Sequence, residues 1–171
     1  MIPGHFPNTM IPRHLKLAAS VLATAALSLS SVFAAPYAVG AKVESFTAKD
    51  QHEQQFTLKP GDTRFLLASH DMETGKKANA ALNALGKDYL GGKKAVYIAN
   101  IHGMPGIGRM FAMPKMKKYV HRIILGDDAA LIARFPEQKD KVTVLTLTDG
   151  KVTAISYWSP GTEPLDGILK K

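Results

Sequence analysis

Residues 64–85 read RFLLASHDMETGKKANAALNAL and contain the strongest structural pattern of the chain. Residues 64–68 are almost continuously apolar, which is typical of a strand buried on both faces of a parallel sheet. A helix is predicted over residues 74–85, because apolar side chains recur there at spacings of three and four: Ala78, Ala81, Leu82 and Leu85. Gly86 follows, at the position where a helix commonly ends.

Apolar runs and turn residues alternate in both directions from this unit. Further strands are predicted over residues 43–47, 55–58, 95–99, 123–125, 142–147 and 152–157. Helices are predicted from the Gly/Pro loop at 103–108 to about residue 119, with a kink or break at Pro114, and over 129–135 and 164–169. Asp149-Gly150 between the last two strands indicates a hairpin. This order predicts an α/β fold, a central mixed β-sheet flanked by helices on both faces.

The N-terminal residues have the pattern of a signal peptide. Arg13 and Lys16 precede an uncharged apolar run over residues 17–33, and small residues allow cleavage after Ala34. The run is short for a transmembrane anchor, which is the alternative. Met10 is an alternative start. We therefore predict a signal peptide over residues 1–34, a single exported, periplasmic domain over residues 35–171, and no transmembrane segment after cleavage.

Composition limits the chemistry of the chain. Its 171 residues include no cysteine, so disulfides, thiol nucleophiles and thiolate metal sites are excluded. The formal net charge is +8, and it becomes +6 once Arg13 and Lys16 are removed with the leader, which contains no acidic residue. A positive charge favours anionic partners. The export signal disfavours nucleic acid.

The order of elements resembles the thioredoxin fold. Leu66-Leu67-Ala68-Ser69-His70-Asp71 is similar to the segment that leads into the active site of thioredoxins, and residues 124–129 resemble peroxiredoxin-like members. On this alignment the two redox cysteines would fall at Asp71 and Thr74, and the cis-proline at about Val142. Because these residues differ, the resemblance implies a thioredoxin-like fold without thiol–disulfide exchange or peroxidase activity.

A closer resemblance is to periplasmic proteins of the YtfJ type, which are thioredoxin-like and lack the redox pair. It is carried by residues 105–111, 117–119 and 76–82. This resemblance implies a fold and a compartment but no established activity.

Polar side chains follow two strands that should be parallel neighbours, and open α/β sheets bind ligands at such an edge. We predict a ligand or partner surface there, formed with the loop 103–110 by His70, Asp71, Met72, Glu73, Thr74, His102 and Arg109. The alternative is a solvated loop in which Asp71 and Glu73 only favour the start of a helix.

A metal site is the second interpretation of this region. Imidazoles suit zinc or copper, and thioethers select Cu(I). The candidate ligands are His70, His102, Met104, Met110, Met113 and Met116. The alternative for the methionines is a buried helix face. The loop 103–108 has the order G-x-x-G-x-G, which departs from the dinucleotide pattern, and no cofactor is predicted.

A basic cluster follows the loop and could contact anionic lipid, polysaccharide or an acidic protein. Its members are Arg109, Lys115, Lys117, Lys118 and Arg122, and His121 lies alongside. The alternative is a solvated charged face.

These observations together favour an exported, redox-inactive binding or accessory module over an enzyme. Handling of copper or zinc is the alternative function. An enzyme with His70 as a base is a third, although adjacent Ser69, His70 and Asp71 cannot form a catalytic triad.

Overall fold

The computed structural model describes residues 35–170, so the predicted signal peptide lies outside the described residues. The strands are β1 (Thr47–Lys49), β2 (Gln55–Thr57), β3 (Phe65–Ser69), β4 (Ala95–Asn100), β5 (Ile124–Gly126), β6 (Val142–Thr148) and β7 (Lys151–Trp158). The helices are α1 (Met72–Leu85), α2 (Tyr89–Gly92), α3 (Gly106–Met116), α4 (Ala129–Ile132) and α5 (Leu165–Ile168). None of the helices in this part of the chain is long and apolar enough to span a membrane.

Five strands form a mixed sheet in the order β5-β4-β3-β6-β7. Strand β4 pairs in parallel with both β3 and β5, whereas β6 pairs antiparallel with β3 and β7. Strand β3 lies in the middle, and all five of its residues are buried. The continuous apolar run therefore forms a buried strand, as predicted, and this strand is the central one of the sheet. The fold class is confirmed.

Successive residues of β3 face opposite sides of the sheet and enter two separate apolar cores. Phe65 and Leu67 pack with α1, α2, α3 and α5. Leu66 and Ala68 pack with α4 and with the N-terminal segment that precedes β3. Helices thus cover both faces, because each face of the sheet presents its own apolar surface.

The N-terminal segment also pairs with both outer strands of the sheet. Lys42 forms an antiparallel bridge with Lys151 at the start of β7, and Asp50 forms one with Ile124 of β5. Strand β1 lies between these two bridges in sequence, and it forms a separate antiparallel hairpin with β2, which follows Asp50. The segment therefore crosses one face of the sheet from one edge to the other.

Most element predictions are confirmed, and four details need correction. The strand expected over residues 43–47 is displaced to β1, because Val43 bonds to Gly150 beside β7 rather than joining the β1–β2 ladder. Helix α3 begins at Gly106 and continues without a break through Pro114. The short helix α2 was not predicted. Leu85 is 41% exposed, so the apolar face of α1 ends at Leu82.

The predicted hairpin is confirmed in its backbone geometry. Asp149 and Gly150 have φ values of 49° and 74°, which are typical of the two central residues of a tight hairpin turn. Aspartate and glycine adopt this left-handed region more readily than other residues.

Candidate binding site

A cleft opens at the carboxyl ends of β3 and β4, between the first turns of α1 and helix α3. Its volume is about 260 Å³. We call it the α1–α3 cleft. It is lined by Ser69, Asp71, Met72, Gly75, Lys76, Asn79, Ala99, Asn100, Ile101, Met104, Gly108, Phe111, Ala112, Lys115, Met116 and Tyr119. This cleft therefore opens at the edge of the sheet where a ligand surface was predicted, and its lining has more apolar than charged side chains.

The α1 wall begins with a capped helix terminus. The Asp71 carboxylate accepts a hydrogen bond of 2.8 Å from the backbone N–H of Thr74, which satisfies one otherwise unpaired donor of the first turn. Burial raises the pKa of Asp71, but the hydrogen bonds from Thr74 and Glu73 outweigh this and lower it below its usual value. Gly75 lies next to Ser69, where an added Cβ would be 3.4 Å from the hydroxyl oxygen.

Replacing Asp71 separates the role of its cap from the role of its charge. Asp71→Ala is expected to lower the free energy of unfolding by about 1 kcal/mol, since the cap is lost. Asp71→Asn retains an equally good cap and is expected to change it by less than about 0.5 kcal/mol. Urea unfolding of the two variants tests this, and an equal loss in both would mean that the charge matters more than the cap.

The α3 wall carries an exposed apolar surface. Ile107, Met110 and Phe111 are 68%, 64% and 64% exposed, and they follow the three- and four-residue spacing of one helix face. Met72, at the start of α1 across the cleft, is 57% exposed. Phe111 and Met72 both line the cleft, so the exposed apolar surface is continuous with its interior.

Arg109 fixes the first turns of α3 rather than facing the cleft. Its guanidinium forms a bidentate pair with the Asp127 carboxylate just after β5. It also donates to the carbonyl oxygens of Ile101 and Met104. The pair lowers the pKa of Asp127 below its usual value. Arg109 was predicted as a ligand-binding residue, but its donors are directed to the protein itself.

The floor of the cleft contains buried polar groups in two pairs. The Ser69 hydroxyl and the Tyr97 hydroxyl are 2.9 Å apart. Asn79 donates to the carbonyl of Gly75, and its side-chain oxygen lies 3.0 Å from His121 Nε2. An amide oxygen can only accept, so Nε2 of His121 carries the proton.

His121 is 1% exposed, and its Nδ1 atom has no hydrogen-bond partner. Its ring packs against the rings of Tyr97 and Tyr119. Burial lowers the pKa of His121 to about 4. The expectation that His121 lies alongside an exposed basic cluster is wrong, because contacts with Asn79 and the two tyrosines enclose it.

His70 is held beneath the edge of the sheet by β6. Its Nε2 atom lies 3.0 Å from the hydroxyl of Thr143, which in turn donates to the carbonyl of Pro136. The single hydroxyl hydrogen is therefore used, and His70 must be the donor. Burial lowers the pKa of His70 despite the opposing effect of Glu137 and Asp71. His70 does not line the cleft.

The remaining predicted site residues are dispersed. Thr74 is buried beneath the start of α1, and exposed Glu73 lies 3.6 Å from Lys76. His102 is exposed, and its Nδ1 atom lies 3.2 Å from the carbonyl of Asp127. Of the seven predicted surface residues, only Asp71 and Met72 line the cleft.

The metal hypothesis stays a prediction. Between residues 35 and 170 no group of three or more His, Asp or Glu side chains is arranged to hold a metal ion. Met116 is buried in the core, Met104 and Met113 are partly buried against it, and Met110 is exposed. The thioethers thus lie in different environments along α3.

Several members of the predicted basic cluster have partners in the protein. Arg122 pairs with buried Asp50, and Lys117 lies 3.8 Å from Glu53. Lys115 lines the cleft and forms no ion pair within the described chain. The sequence predictions missed several cleft residues, among them Ser69, Lys76, Asn79, Phe111 and Tyr119. Phe111, Tyr119, Lys76 and Asn79 fall within the segments that carried the closer resemblance, which was the only signal for them.

No protein-family model matches the sequence, and no curated protein matches it significantly. Among solved structures, the chain is similar to a mutant of PrxQ from Xylella fastidiosa, with a TM-score of 0.54 and 10% identity over 80% of this chain and 95% of that one. It is also similar to the thioredoxin domain of a thiol-disulfide oxidoreductase from Bacteroides vulgatus (TM-score 0.50, 12% identity, 78% and 99% covered). A peroxiredoxin-like protein from Aquifex aeolicus has a TM-score of 0.50 at 11% identity, with 80% and 86% covered. At such identities the likeness concerns the fold alone.

Proposed function

We propose that this chain, which has a thioredoxin-like fold and no cysteine, acts by binding a partner in the α1–α3 cleft rather than by thiol chemistry. The observation that carries the proposal is the exposure of Met72 and Phe111 in the cleft, together with that of Ile107 and Met110 on the same face of α3 as Phe111. A contiguous exposed apolar patch is costly in water and commonly marks an interaction site.

The residues at the former cysteine positions support a binding role. Asp71 caps α1, and Thr74 is a buried residue of the first turn of this helix. Both residues therefore serve the architecture of the helix, and neither can supply a thiolate. The cleft beside them keeps the position at which open α/β sheets bind ligands.

We also propose that the protein is exported and works in the periplasm. The basic residues before the apolar run, the small residues before Ala35 and the resemblance to the YtfJ type support this assignment. The proposal treats residues 1–34 as the signal peptide. N-terminal sequencing of the protein recovered from the periplasm should begin at Ala35, whereas an intact Met1 or Met10 start would oppose it.

Site-specific photo-crosslinking tests the binding role in cells. A photoreactive phenylalanine at position 111 should give a discrete adduct, whereas the same group at Val39 should not. Val39 is 66% exposed but lies in the N-terminal segment, so it is a matched control. Phe111→Ser should weaken capture of that partner by at least about tenfold, since it removes an aromatic anchor that the partner would bury.

The fold should be unaffected by Phe111→Ser, because the side chain is exposed. Circular dichroism and the melting temperature check this. Equal labelling at positions 111 and 39, or no adduct at either, would contradict the proposed function.

A further inference from the structure

The α1–α3 cleft is small enough that one large side chain would fill much of it. Its volume is about 260 Å³. This lies below the usual range for the pockets of larger small-molecule ligands. The walls offer Met72, Met104, Phe111 and Met116, so the group that fits is apolar.

The charges at the cleft favour an anionic group next to that apolar one. Lys115 on the α3 wall has no carboxylate partner among residues 35–170, and Lys76 on the α1 wall has only an exposed partner, Glu73, at 3.6 Å. The opposing charge is Asp71, whose carboxylate is engaged by the Thr74 N–H. A ligand carboxylate is therefore favoured on the side of Lys115.

The floor adds one hydrogen-bond donor. Ser69 and Tyr97 share a single hydrogen bond and are each 1% exposed. Two hydroxyl groups carry two hydrogens, so one of them is left without an acceptor in the protein. When Tyr97 donates the shared bond, the free hydrogen is that of Ser69, which lines the cleft, and a carbonyl oxygen of a ligand would accept it.

The apolar surface continues beyond the cavity to Ile107 and Met110 on α3. A ligand that only filled the cavity would leave these two side chains in water. We infer that the occupant is a peptide segment of a partner protein, with one large apolar side chain in the cleft and a neighbouring carboxylate at Lys115. This inference rests on the proposed function and adds the class of ligand to it.

Three blocked seven-residue peptides test the inference against the mature protein. The first has a central Phe flanked by two Asp, the second has the same Phe flanked by two Lys, and the third has Ala flanked by two Asp. Titrations followed by the amide NMR signals of Gly75 and Gly108 should give a dissociation constant for the first peptide at least about tenfold lower than for the others.

Variants assign the effect to the two features of the cleft. Lys115→Gln should remove the preference for Asp over Lys flanks, whereas Lys118→Gln, an exposed lysine outside the cleft lining, should not. Asp71→Asn should strengthen binding of the acidic peptide, because it removes the opposing charge and keeps the cap. High salt should reduce the preference.

Three results would overturn the inference. The Lys-flanked or Ala-centred peptide could bind as tightly as the first, or Lys115→Gln could leave the preference intact. Tighter binding of octanoate than of the first peptide would reassign the cleft to a free lipid carboxylate. If crosslinking at position 111 succeeds while no peptide binds, the proposed function stands and this ligand class fails.

Discussion

Replacing Gln51 by alanine is expected to lower the free energy of unfolding by about 2–5 kcal/mol. Gln51 is 1% exposed, and its side-chain amide donates to the carbonyl of His121 at 2.8 Å and accepts from the N–H of Ile123 at 2.9 Å. The variant would leave two buried backbone groups without partners, and each costs about 1–3 kcal/mol. Urea unfolding followed by circular dichroism measures the change.

The neighbouring residues supply matched controls for this result. Gln54→Ala removes an exposed amide from the same loop and should change the free energy of unfolding by less than about 0.5 kcal/mol. Gln51→Glu keeps an acceptor for the N–H of Ile123 but loses the donor to the carbonyl of His121. Its loss of unfolding free energy should therefore exceed that of Gln54→Ala, and it can equal or exceed that of Gln51→Ala because the variant also buries a charge. A loss below about 1 kcal/mol for Gln51→Ala would show that water replaces the amide.

Lowering the pH from 7 to 4 is expected to destabilise the fold by about 2 kcal/mol through His121. Burial lowers the pKa of His121 to about 4, whereas an unfolded histidine has a pKa of about 6.5. The unfolded state therefore binds the proton first, and stability falls between about pH 6.5 and pH 4. The figure is smaller than the whole pKa difference would give, because the folded state also begins to bind the proton as the pH reaches 4.

His121→Gln should flatten this part of the stability profile, since a glutamine amide can still donate to Asn79 and does not titrate. His52→Gln, at an exposed histidine, should leave the profile unchanged. Burial also lowers the pKa of His70, so protonation of this residue adds to the loss of stability as the pH falls. Asp50 and Asp127, with lowered pKa values, lose their stabilisation only in more acidic solution. A wild-type profile that is flat from pH 7 to 4 would contradict the assignment.

The elements that could be predicted from the sequence are those with local causes. Strand β3 follows from an apolar run, and helix α1 follows from a helical period of apolar residues. The turn follows from the backbone preferences of Asp149 and Gly150 themselves. The strand expected over residues 43–47 fails because its pairing is decided by residues about a hundred positions away, at the start of β7.

The same distinction explains the candidate site. Asp71 and Met72 were found because they directly follow a recognisable strand. Phe111 and Lys115 join them only through the packing of α3 beside α1. His121 looked like a surface base because its sequence neighbours are charged, yet Asn79 and Gln51, 42 and 70 residues away in sequence, determine that it is buried. No local pattern contains these contacts.

The path of the N-terminal segment has a consequence for association between copies of the chain. Unpaired strand edges are templates for edge-to-edge aggregation, and they are a particular hazard for a sheet whose strands are strongly apolar. Here Lys42 engages the beginning of β7, and Asp50 engages β5, so one continuous segment protects part of each edge. The domain has no disulfides, and its own N-terminal segment supplies the backbone pairing that opposes association between sheet edges of different copies.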